Sequence, residues 1–355
     1  MEKLSVALIF GGKSGEHDVS RISASSIFKH INKEKYNIHT IGITKEGKWL
    51  YYKGSEENIA NGKWEQLADN DVKINLLPNG NSKVGLEFKD GSFKKIDVLF
   101  PVLHGPYGED GKIQGLFEIS SIPYVGCGVL ASSVGMDKLV CKKIFSQIGL
   151  PQVKYTYTDK WSFKLNESKE LDKIECELKY PIFVKPANMG SSVGISKVFN
   201  RDELLNGIKE ALKYDRRIVL EQGINAREIE VAVLGNDDVK ASIAGEIIPA
   251  KDFYDYEDKY INGVSKLEIP AKLNENEMEE IRQMAVDAFK AIDGRGLSRV
   301  DFFIDNKTSE IYINEINTLP GFTNISMYPK LWDATGIQYT GLIDNLIQLA
   351  IEGRQ

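Results

Sequence analysis

The chain has 355 residues, of which 42% are hydrophobic and 27% are charged, as is ordinary for a soluble globular protein. At roughly 150 residues per domain, this length predicts two or three domains, each with its own core. The formal net charge of −6 gives no support for a surface that binds nucleic acid or an anionic membrane, so neither partner is expected.

Cysteine usage and the first residues of the chain indicate a compartment. Cys127, Cys141 and Cys176 are too few and too scattered for a disulfide framework or a zinc site. They are expected to be buried, inert thiols in a reducing environment. The N-terminus runs directly into a strand pattern without a signal peptide, and no apolar run approaches the roughly 20 residues that span a bilayer. We therefore expect a cytoplasmic protein.

Two short apolar runs, residues 5–10 and 96–100, are typical of buried parallel strands. Each run is followed by a loop and then by a helical pattern, the first at about 19–31 and the second near 113–119. Repetition of strand, loop and helix predicts an open α/β domain with a parallel sheet over residues 1–125.

The middle of the chain mixes helices and strands without that repetition. A helix that carries residues 136–138 is followed by strands at 181–186 and 218–221, with another helix at 201–214 between them. This order predicts a central α+β domain over residues 126–220.

The remaining residues, 221–355, predict a C-terminal domain. Strands are expected at 228–234 and 242–248, and a helix at 277–292 has an apolar stripe that we interpret as core packing. The segment at about 250–265 is aromatic, charged and irregular. A long loop inside a compact domain is usually a lid or disorder, and the tyrosines of this segment favour a lid.

Two segments near the C-terminus, 299–303 and 312–317, predict neighbouring strands joined by a turn at 305–309. Side chains alternate between the two faces of a strand. In the second strand, this alternation predicts that Glu315 lies on the face opposite to Tyr312.

Three oxygen ligands can converge if these strands pair as a hairpin. Asp301 shares its face with Arg299 and Phe303, and Glu315 shares its face with Asn317. Two carboxylates and an amide oxygen, without histidine or cysteine, suit a hard ion such as Mg²⁺, which usually holds the phosphates of a nucleotide. The alternative is a solvated strand face with spaced polar residues.

The loops after the first two parallel strands carry further candidates. Residues 11–14 resemble the end of a P-loop, but Ala7 stands where that motif needs glycine, and the loop does not fit G-x-G-x-x-G either. The loop brings Glu16 to a helix N-terminus, where it is either a ligand for a substrate ammonium or a partner of the helix dipole. His104 follows the second strand; a lone histidine is more often structural than catalytic.

Two lysines and two glutamates in the middle of the chain are candidates for nucleotide binding. Lys185 ends an apolar strand ahead of the glycine-rich loop 190–194, whose N–H groups can fold over phosphate oxygens. Lys138 would supply a second positive charge, unless it lies on a solvated helix face. Glu221 and Glu228 would serve adenine and ribose, although glutamates on strands are common.

Taken together, these segments resemble the ATP-grasp ligases and, within them, the D-alanine–D-alanine ligases. The resemblance runs in family order from residue 4 to about 330, and implies α/β and α+β domains in a three-domain ATP-grasp fold. ATP would be clamped between the middle and C-terminal domains. The segments that carry the resemblance are residues 11–16, 103–105, 136–138, 185–194, 253–256, 259–260, 299–301 and 314–323.

For ATP, the resemblance implies that Lys138 and Lys185 bind phosphates, and that Asp301, Glu315 and Asn317 hold two Mg²⁺ (or Mn²⁺) ions. From its shared face with Asp301, we infer that Phe303 packs against the base. The other implied contacts are Ser191 and Ser192 in the loop after Lys185, Glu221, Gln222 and Ile224 at the adenine, Glu228 at the ribose and Lys259 at the γ-phosphate.

For the amino acids, the resemblance implies a ligase that joins two D-alanine molecules through a D-alanyl phosphate, for peptidoglycan precursors. Alternatives are a D-alanine–D-serine or D-lactate ligase, or another ATP-grasp carboxylate–amine ligase. A homodimer is expected. The implied substrate contacts are Glu16 and His104 at the first D-alanine, Arg299 and the Gly321 N–H at the oxyanion, Ser326 and the Met327 N–H at the second carboxylate, and Tyr260 with Ser191 and Glu16 in a set that closes the site.

Two other classes of protein are alternatives to this interpretation. A nicotinamide-dependent oxidoreductase is disfavoured because the first domain lacks G-x-G-x-x-G. A non-catalytic amino-acid-binding protein of ATP-grasp shape would be expected to lack some of the phosphate or metal residues, yet Lys138, Lys185, Asp301, Glu315 and Asn317 are all present.

Overall fold

A computed structural model describes residues 3–69, 71–76, 84–190, 193–248 and 266–353 of the chain. The predicted lid at about 250–265 lies outside these residues. Across the described part of the chain, no helix is both long and apolar enough to cross a membrane.

The first sheet has the order β3-β2-β1-β7, in which β1 pairs in parallel with both β2 and β7. Residues 6–10 of β1 are fully buried, because a central parallel strand is covered on both faces. The predicted parallel sheet is therefore confirmed, with β3 added antiparallel at its edge. The elements of this region are β1 (Leu4–Gly11), α1 (His17–His30), β2 (Tyr36–Ile43), β3 (Trp49–Tyr52), α2 (Glu56–Ala60), a 3-10 turn (Lys63–Glu65), β4 (Lys73–Asn75), β5 (Gly85–Glu87), β6 (Phe93–Lys95), β7 (Val98–Val102) and α3 (Lys112–Ser120).

A small antiparallel sheet in this region, β4-β5-β6, was not predicted. Each of its strands has only three residues, which is too short for a recognisable alternation of polar and apolar side chains.

The second sheet has the order β10-β9-β11-β8 and is antiparallel throughout. Its core includes residues of α7 and α8, which pack Ile174, Leu204 and Ile208 against the strands. The elements here are α4 (Val129–Met136), α5 (Lys138–Gln147), β8 (Tyr155–Asp159), α6 (Lys160–Leu165), α7 (Glu167–Glu177), β9 (Ile182–Pro186), β10 (Ser196–Val198), α8 (Arg201–Ala211) and β11 (Arg217–Gln222).

The prediction of one helix through residues 136–138 is wrong, because α4 ends at Met136 and α5 begins at Lys138. Asp137 between them has an extended backbone, and its carboxylate accepts a hydrogen bond of 3.1 Å from the Val140 N–H. Aspartate is a strong N-cap residue, so it starts a new helix at this point. An ion pair with Arg217 holds the Asp137 side chain in place.

The third sheet has the order β14-β13-β12-β15-β16, again antiparallel. The apolar stripe of α9 covers one face and is core packing as predicted, since Ile281, Ala285 and Ala288 are fully buried. The elements are β12 (Ala226–Gly235), β13 (Lys240–Ile248), β14 (Lys266–Glu268), α9 (Glu275–Ala291), β15 (Gly296–Asp305), β16 (Ile311–Asn317), α10 (Met327–Ala334) and α11 (Tyr339–Glu352).

The predicted hairpin exists, but one statement about its faces is wrong. Phe303 lies opposite Tyr312 and Asp301 lies opposite Glu315, with a register shift between the two pairs. Asn314 is the extra residue of this β-bulge, so Tyr312 and Glu315 face the same side of the sheet rather than opposite sides. A bulge of one residue reverses any alternation that is counted across it.

The N- and C-terminal regions share one core. The buried side chains of Leu342, Ile343 and Leu346 on α11 belong to the same apolar cluster as the first sheet, and α11 contacts β7 and α1. The side chain of His104, after β7, contacts the Leu319 carbonyl, after β16, so the ends of these two strands lie close together. The predicted domain boundaries at 125/126 and 220/221 stay a prediction; β11 crosses the second of them.

The expectation of buried thiols is confirmed for Cys127 and Cys141 and is wrong for Cys176, which is exposed on α7. Cys176 lies in the last turn of that helix, whose buried positions are Leu171 and Ile174.

Candidate active site

A cleft of about 630 Å³ lies where the first, second and third sheets meet. Its walls include every predicted site residue in the described part of the chain, although these residues come from distant segments. Predicted residues 191, 192, 259 and 260 lie outside that part. The residues found in the cleft are Glu16, His104, Lys138, Lys185, Glu221, Gln222, Ile224, Glu228, Arg299, Asp301, Phe303, Glu315, Asn317, Gly321, Ser326 and Met327.

Lys185 is held by a carboxylate from the neighbouring strand. Its Nζ lies 2.6 Å from Glu221 Oε2, and the other carboxylate oxygen, Oε1, lies 3.0 Å from Lys142 Nζ. Lys142 and Glu221 are both almost fully buried. Lys142 was missed in the sequence because lysines in the middle of a helix are usually solvated. The available signal was its spacing, one helical turn after Lys138.

The charges of Glu221 and Lys185 are stable at neutral pH. Burial by itself raises the pKa of Glu221, but Lys142 and Lys185 outweigh burial and lower that pKa to about 2. Burial likewise opposes the charge of Lys185, and the Glu221 carboxylate outweighs it, so the pKa of Lys185 is raised. Both side chains are therefore ionised.

Lys138 connects the middle sheet to the hairpin. Its backbone N–H donates to the Ala187 carbonyl at 2.8 Å, and its Nζ donates to the Met189 carbonyl at 2.7 Å, just before the glycine-rich loop. The same Nζ lies 3.8 Å from Glu315 Oε2. Lys138 is therefore no solvated surface lysine; it lies between the loop and the predicted metal ligands.

The three predicted metal ligands converge on the cleft side of the hairpin. The Asn317 amide donates to Asp301 Oδ2 at 3.0 Å, and Glu315 is the cross-strand neighbour of Asp301. Arg299 donates to both oxygens of Asp301 at 2.7 Å, and its Nε lies 3.0 Å from Glu230 Oε2. Glu230, on β12, is a further site residue that the sequence did not indicate.

The chemistry of this donor set fits a magnesium ion bound together with a ligand. Among the residues that the structure describes, no three His, Cys, Asp or Glu side chains are grouped to hold a metal by themselves. A cation here would draw two carboxylates and one amide from the protein and its other oxygens from the ligand. Mg²⁺ at nucleotide phosphates is commonly bound in this mixed way.

His104 contacts three segments of the chain. Its Nδ1 lies 3.1 Å from the Leu319 carbonyl and 3.5 Å from Glu109 Oε1, and its Nε2 lies 3.2 Å from Ser23 Oγ. Burial by itself lowers the pKa of His104, but the Glu109 and Glu16 carboxylates and the Leu319 carbonyl outweigh it and raise that pKa. Ser23 and Glu109 are also site residues that the sequence did not single out.

Glu16 stands at the N-terminus of α1, and glycines make room for its carboxylate. A Cβ on Gly105, whose φ is +70°, would lie 2.2 Å from Glu16 Oε2, and one on Gly190 would lie 3.4 Å from it. The carboxylate therefore lies between the loop after β7 and the glycine-rich loop.

The segment after β16 lines the cleft with Gly321, Ser326 and Met327. Ser326 occupies the N-cap position of α10, and its Oγ accepts a hydrogen bond of 2.9 Å from the Thr323 N–H. A Cβ at Gly321 would lie 2.9 Å from Ser326 Oγ, so a larger residue here would displace the Ser326 side chain. The Met327 N–H is the first of the helix, where unpaired donors and the helix dipole favour a carboxylate.

The predicted ribose and base contacts are cross-strand neighbours. Glu228 on β12 lies opposite Phe303 on β15, so the two side chains lie side by side on one face. Gln222 and Ile224 follow at the end of β11, and the Gln222 side chain accepts a hydrogen bond of 3.2 Å from the Lys179 N–H.

Comparisons with known proteins cover nearly the whole chain. The family model described as D-ala D-ala ligase N-terminus matches residues 5–127, and the one described as D-ala D-ala ligase C-terminus matches residues 144–348. A D-alanine–D-alanine ligase of Acetivibrio thermocellus is 53% identical over 99% of this chain and 96% of its own length.

Two solved ligase structures are also similar to this chain. The VanG D-Ala:D-Ser ligase from Enterococcus faecalis has a TM-score of 0.87 and 38% identity, covering 98% of this chain and 100% of its own. The D-alanine–D-alanine ligase from Coxiella burnetii has a TM-score of 0.86 and 35% identity, covering 100% and 96%. Since both family models match and the similarity covers full-length proteins, the chain belongs to the D-alanine–D-alanine ligase family.

Proposed function

We propose that this protein uses ATP to join two D-alanine molecules into D-alanyl-D-alanine for peptidoglycan precursors. The observation that supports it best is the arrangement of the cleft. Two lysines that would bind phosphates and three oxygen ligands that would hold a metal line the same cleft as Arg299 and Gly321. Glu16, His104 and the start of α10 offer separate positions for an ammonium and a carboxylate.

In the first step, the carboxylate of one D-alanine attacks the γ-phosphorus of ATP, giving D-alanyl phosphate and ADP. Lys138 and Lys185 would bind the phosphates and offset their charge during the transfer. Asp301, Glu315 and Asn317 would hold Mg²⁺ or Mn²⁺, which neutralises phosphate charge when it is bound. Glu16, with His104 beside it, would receive the ammonium of this D-alanine.

The remaining ATP contacts complete the proposed binding mode. Residues 221, 222 and 224 would frame the adenine, Glu228 would bind the ribose, and Phe303 would pack against the base. Residues 191 and 192 would contact the phosphates from the glycine-rich loop. From the lid, Lys259 would reach the γ-phosphate, and Tyr260 would close the site with residues 16 and 191. Closure matters because water hydrolyses an acyl phosphate.

In the second step, the amine of the other D-alanine, having lost its proton, attacks the acyl carbon, and phosphate leaves from a tetrahedral intermediate. Arg299 and the Gly321 N–H would stabilise its oxyanion, each such donor contributing about 3 kcal/mol. Ser326 and the Met327 N–H would hold the carboxylate of the incoming D-alanine.

D-Serine is the second candidate for the incoming substrate, because a D-Ala:D-Ser ligase is among the similar structures. Lys259 and Tyr260 resemble the D-alanine-specific pattern. Relatives of the depsipeptide-forming type have histidine where Tyr260 stands here. We therefore place D-alanine first, D-serine second and D-lactate third as substrates.

Parallel assays test this proposal. ADP and phosphate release would be measured with D-alanine alone, with D-alanine plus D-serine or D-lactate, and with L-alanine, and the products would be identified by mass. We expect stoichiometric ADP, phosphate and D-alanyl-D-alanine, and no turnover of L-alanine. Preferred formation of D-alanyl-D-serine would overturn the second-substrate assignment, and absence of any dipeptide would overturn the function.

A cytoplasmic homodimer that acts on small molecules is part of the same proposal. Ile119 on α3 and Leu130 on α4 are more than half exposed, and these helices contact each other. Such apolar side chains are a surface that a second copy would cover. Light scattering on the purified chain measures the mass; a monomer at micromolar concentration would contradict the dimer.

A further inference from the structure

We propose that Lys142 is a positioning residue for the phosphate end of the cleft, acting through Glu221 and Lys185 without touching the ligand. This inference rests on the proposed use of ATP. Lys142 is only 2% exposed and is not among the residues that line the cleft. Its role would be to offset the charge of Glu221, so that Lys185 remains an effective cation for phosphates.

The geometry links the three side chains in a row. Lys142 Nζ lies 3.0 Å from one oxygen of Glu221, and Lys185 Nζ lies 2.6 Å from the other. Lys142 Nζ also lies over the Tyr155 ring, 5.3 Å from the centroid. The ring face is a favourable neighbour for a buried cation. Lys142 therefore approaches Glu221 from behind, while Lys185 faces the cleft.

The charge of the group explains why a second buried lysine is useful. Lys185 and Glu221 alone form a neutral pair, which attracts an anion weakly. With Lys142, the three side chains carry a net charge of +1. The cleft also contains Glu228, Glu315 and other carboxylates, and Lys138 lies near Glu315, so this surplus matters for a polyanionic ligand. Buried charges are weakly screened and act over several ångströms.

A purely structural ion pair is the competing explanation, and charge counting separates the two. Replacing Lys142 by methionine leaves a neutral Lys185–Glu221 pair. Replacing Glu221 by glutamine in the same chain removes the remaining negative charge and returns the group to +1. The electrostatic role therefore predicts that the second substitution restores ATP affinity. A structural role predicts that two buried substitutions are at least as harmful as one.

The test measures the dissociation constants of Mg-ATP and of adenosine by calorimetry on the full chain, for the wild type, Lys142→Met, Lys142→Arg and Lys142→Met/Glu221→Gln. Adenosine has no phosphates, so it reports damage to the base and ribose contacts alone. Lys143→Met is the matched control, because Lys143 is exposed on the same helix.

We expect Lys142→Met to weaken ATP binding by about tenfold and adenosine binding by less than about twofold. For Lys142→Arg and for the double variant, the ratio of the ATP to the adenosine dissociation constant should stay within about threefold of the wild-type ratio. Lys143→Met should keep the wild-type ratio. Unchanged ATP affinity in Lys142→Met, or a double variant as weak as the single one, would overturn the inference.

Two further outcomes keep the test decisive. If Lys142→Met does not fold, the double variant is compared with Glu221→Gln, which differs from it only at position 142. The group carries a charge of +2 in Glu221→Gln and +1 in the double variant, so equal ATP affinities would overturn the inference. A wild type that binds ATP but forms no dipeptide contradicts the proposed function and leaves the role of Lys142 intact. A wild type that does not bind ATP contradicts both.

Discussion

Arg299 donates two hydrogen bonds of 2.7 Å to Asp301, its neighbour two positions along the same strand. The predicted oxyanion donor and a predicted metal ligand are thus paired with each other. A divalent cation at Asp301 would compete with Arg299 for the carboxylate and weaken this pair. Metal binding and the orientation of Arg299 are therefore expected to be coupled.

The metal assignment predicts the effect of Glu315→Gln. Loss of one of two carboxylates should weaken Mn²⁺ binding in the presence of ATP by at least about tenfold and abolish ADP release. Paramagnetic resonance of free Mn²⁺ measures the first quantity and a coupled assay the second. Glu310→Gln is the control, because Glu310 is exposed just before the same strand. Near-normal turnover in Glu315→Gln would remove the metal assignment.

Ser23 is expected to support the loop that carries Gly321. The Ser23 Oγ accepts a hydrogen bond of 3.3 Å from the Phe322 N–H and lies 3.2 Å from His104 Nε2, in a fully buried position. Ser23→Ala leaves that N–H without its partner, at a cost of about 1–3 kcal/mol. Since Phe322 follows Gly321 directly, the oxyanion donor should lose its fixed position.

We therefore expect Ser23→Ala to lower kcat about tenfold while the KM for ATP changes less than about twofold. Steady-state kinetics measure both constants. Ser25→Ala is the control on the same helix, because the Ser25 hydroxyl donates to the Glu56 carbonyl, away from the cleft. A parallel rise in the KM for ATP would show general damage to the cleft instead.

Local patterns predicted the parallel sheet of the N-terminal region and the shared face of three residues in β15. Alternation in β15 placed Arg299, Asp301 and Phe303 on one face, and the structure has them there, because an unbroken strand keeps its period of two. The same counting failed in β16 at Asn314. A bulge depends on how two strands pair, which one strand's sequence does not contain.

The sequence also did not show which distant side chains contact each other in the folded chain. Glu221 was predicted to lie at the adenine, and its strand alone did not indicate that its carboxylate also lies between Lys142 and Lys185. These lysines come from α5 and β9, and only tertiary packing brings them together. Ser23 and Glu230 were missed for the same reason, since each is an ordinary polar residue until its partner is known.

The buried carboxylate of Glu221 predicts how stability depends on pH. Its pKa is about 2 in the folded chain against an ordinary value of 4.5. A lowered folded pKa stabilises the protein above the unfolded pKa, and this contribution is lost as the pH falls from about 5 toward 2. For this shift the loss is about 3 kcal/mol in the free energy of unfolding.

Urea unfolding of the wild type and of Glu221→Gln at pH 7, 5, 4 and 3 measures this contribution. Other carboxylates titrate in both proteins, so the difference between them isolates residue 221. We expect the wild type to lose more stability than the variant between pH 5 and pH 3. Parallel curves for the two proteins would mean that the Glu221 carboxylate is not held by the lysines.

The three thiols are expected to react with an aromatic disulfide at very different rates. Burial raises the pKa of both Cys127 and Cys141 to about 12, so almost no thiolate is present at pH 8, while Cys176 is exposed on α7. The thiolate is the reactive form. One equivalent per chain should therefore react quickly in the native protein, and three after denaturation.

The substitution Cys176→Ser is the matched control for this experiment. It should abolish the fast equivalent and leave two thiols that react only in denaturant. Cys127 donates to the Arg295 and Leu297 carbonyls beside β15, so its exposure requires the core of the third sheet to open. Fast reaction of either remaining thiol in the native Cys176→Ser chain would contradict the tight packing of α4 and α5 against that sheet.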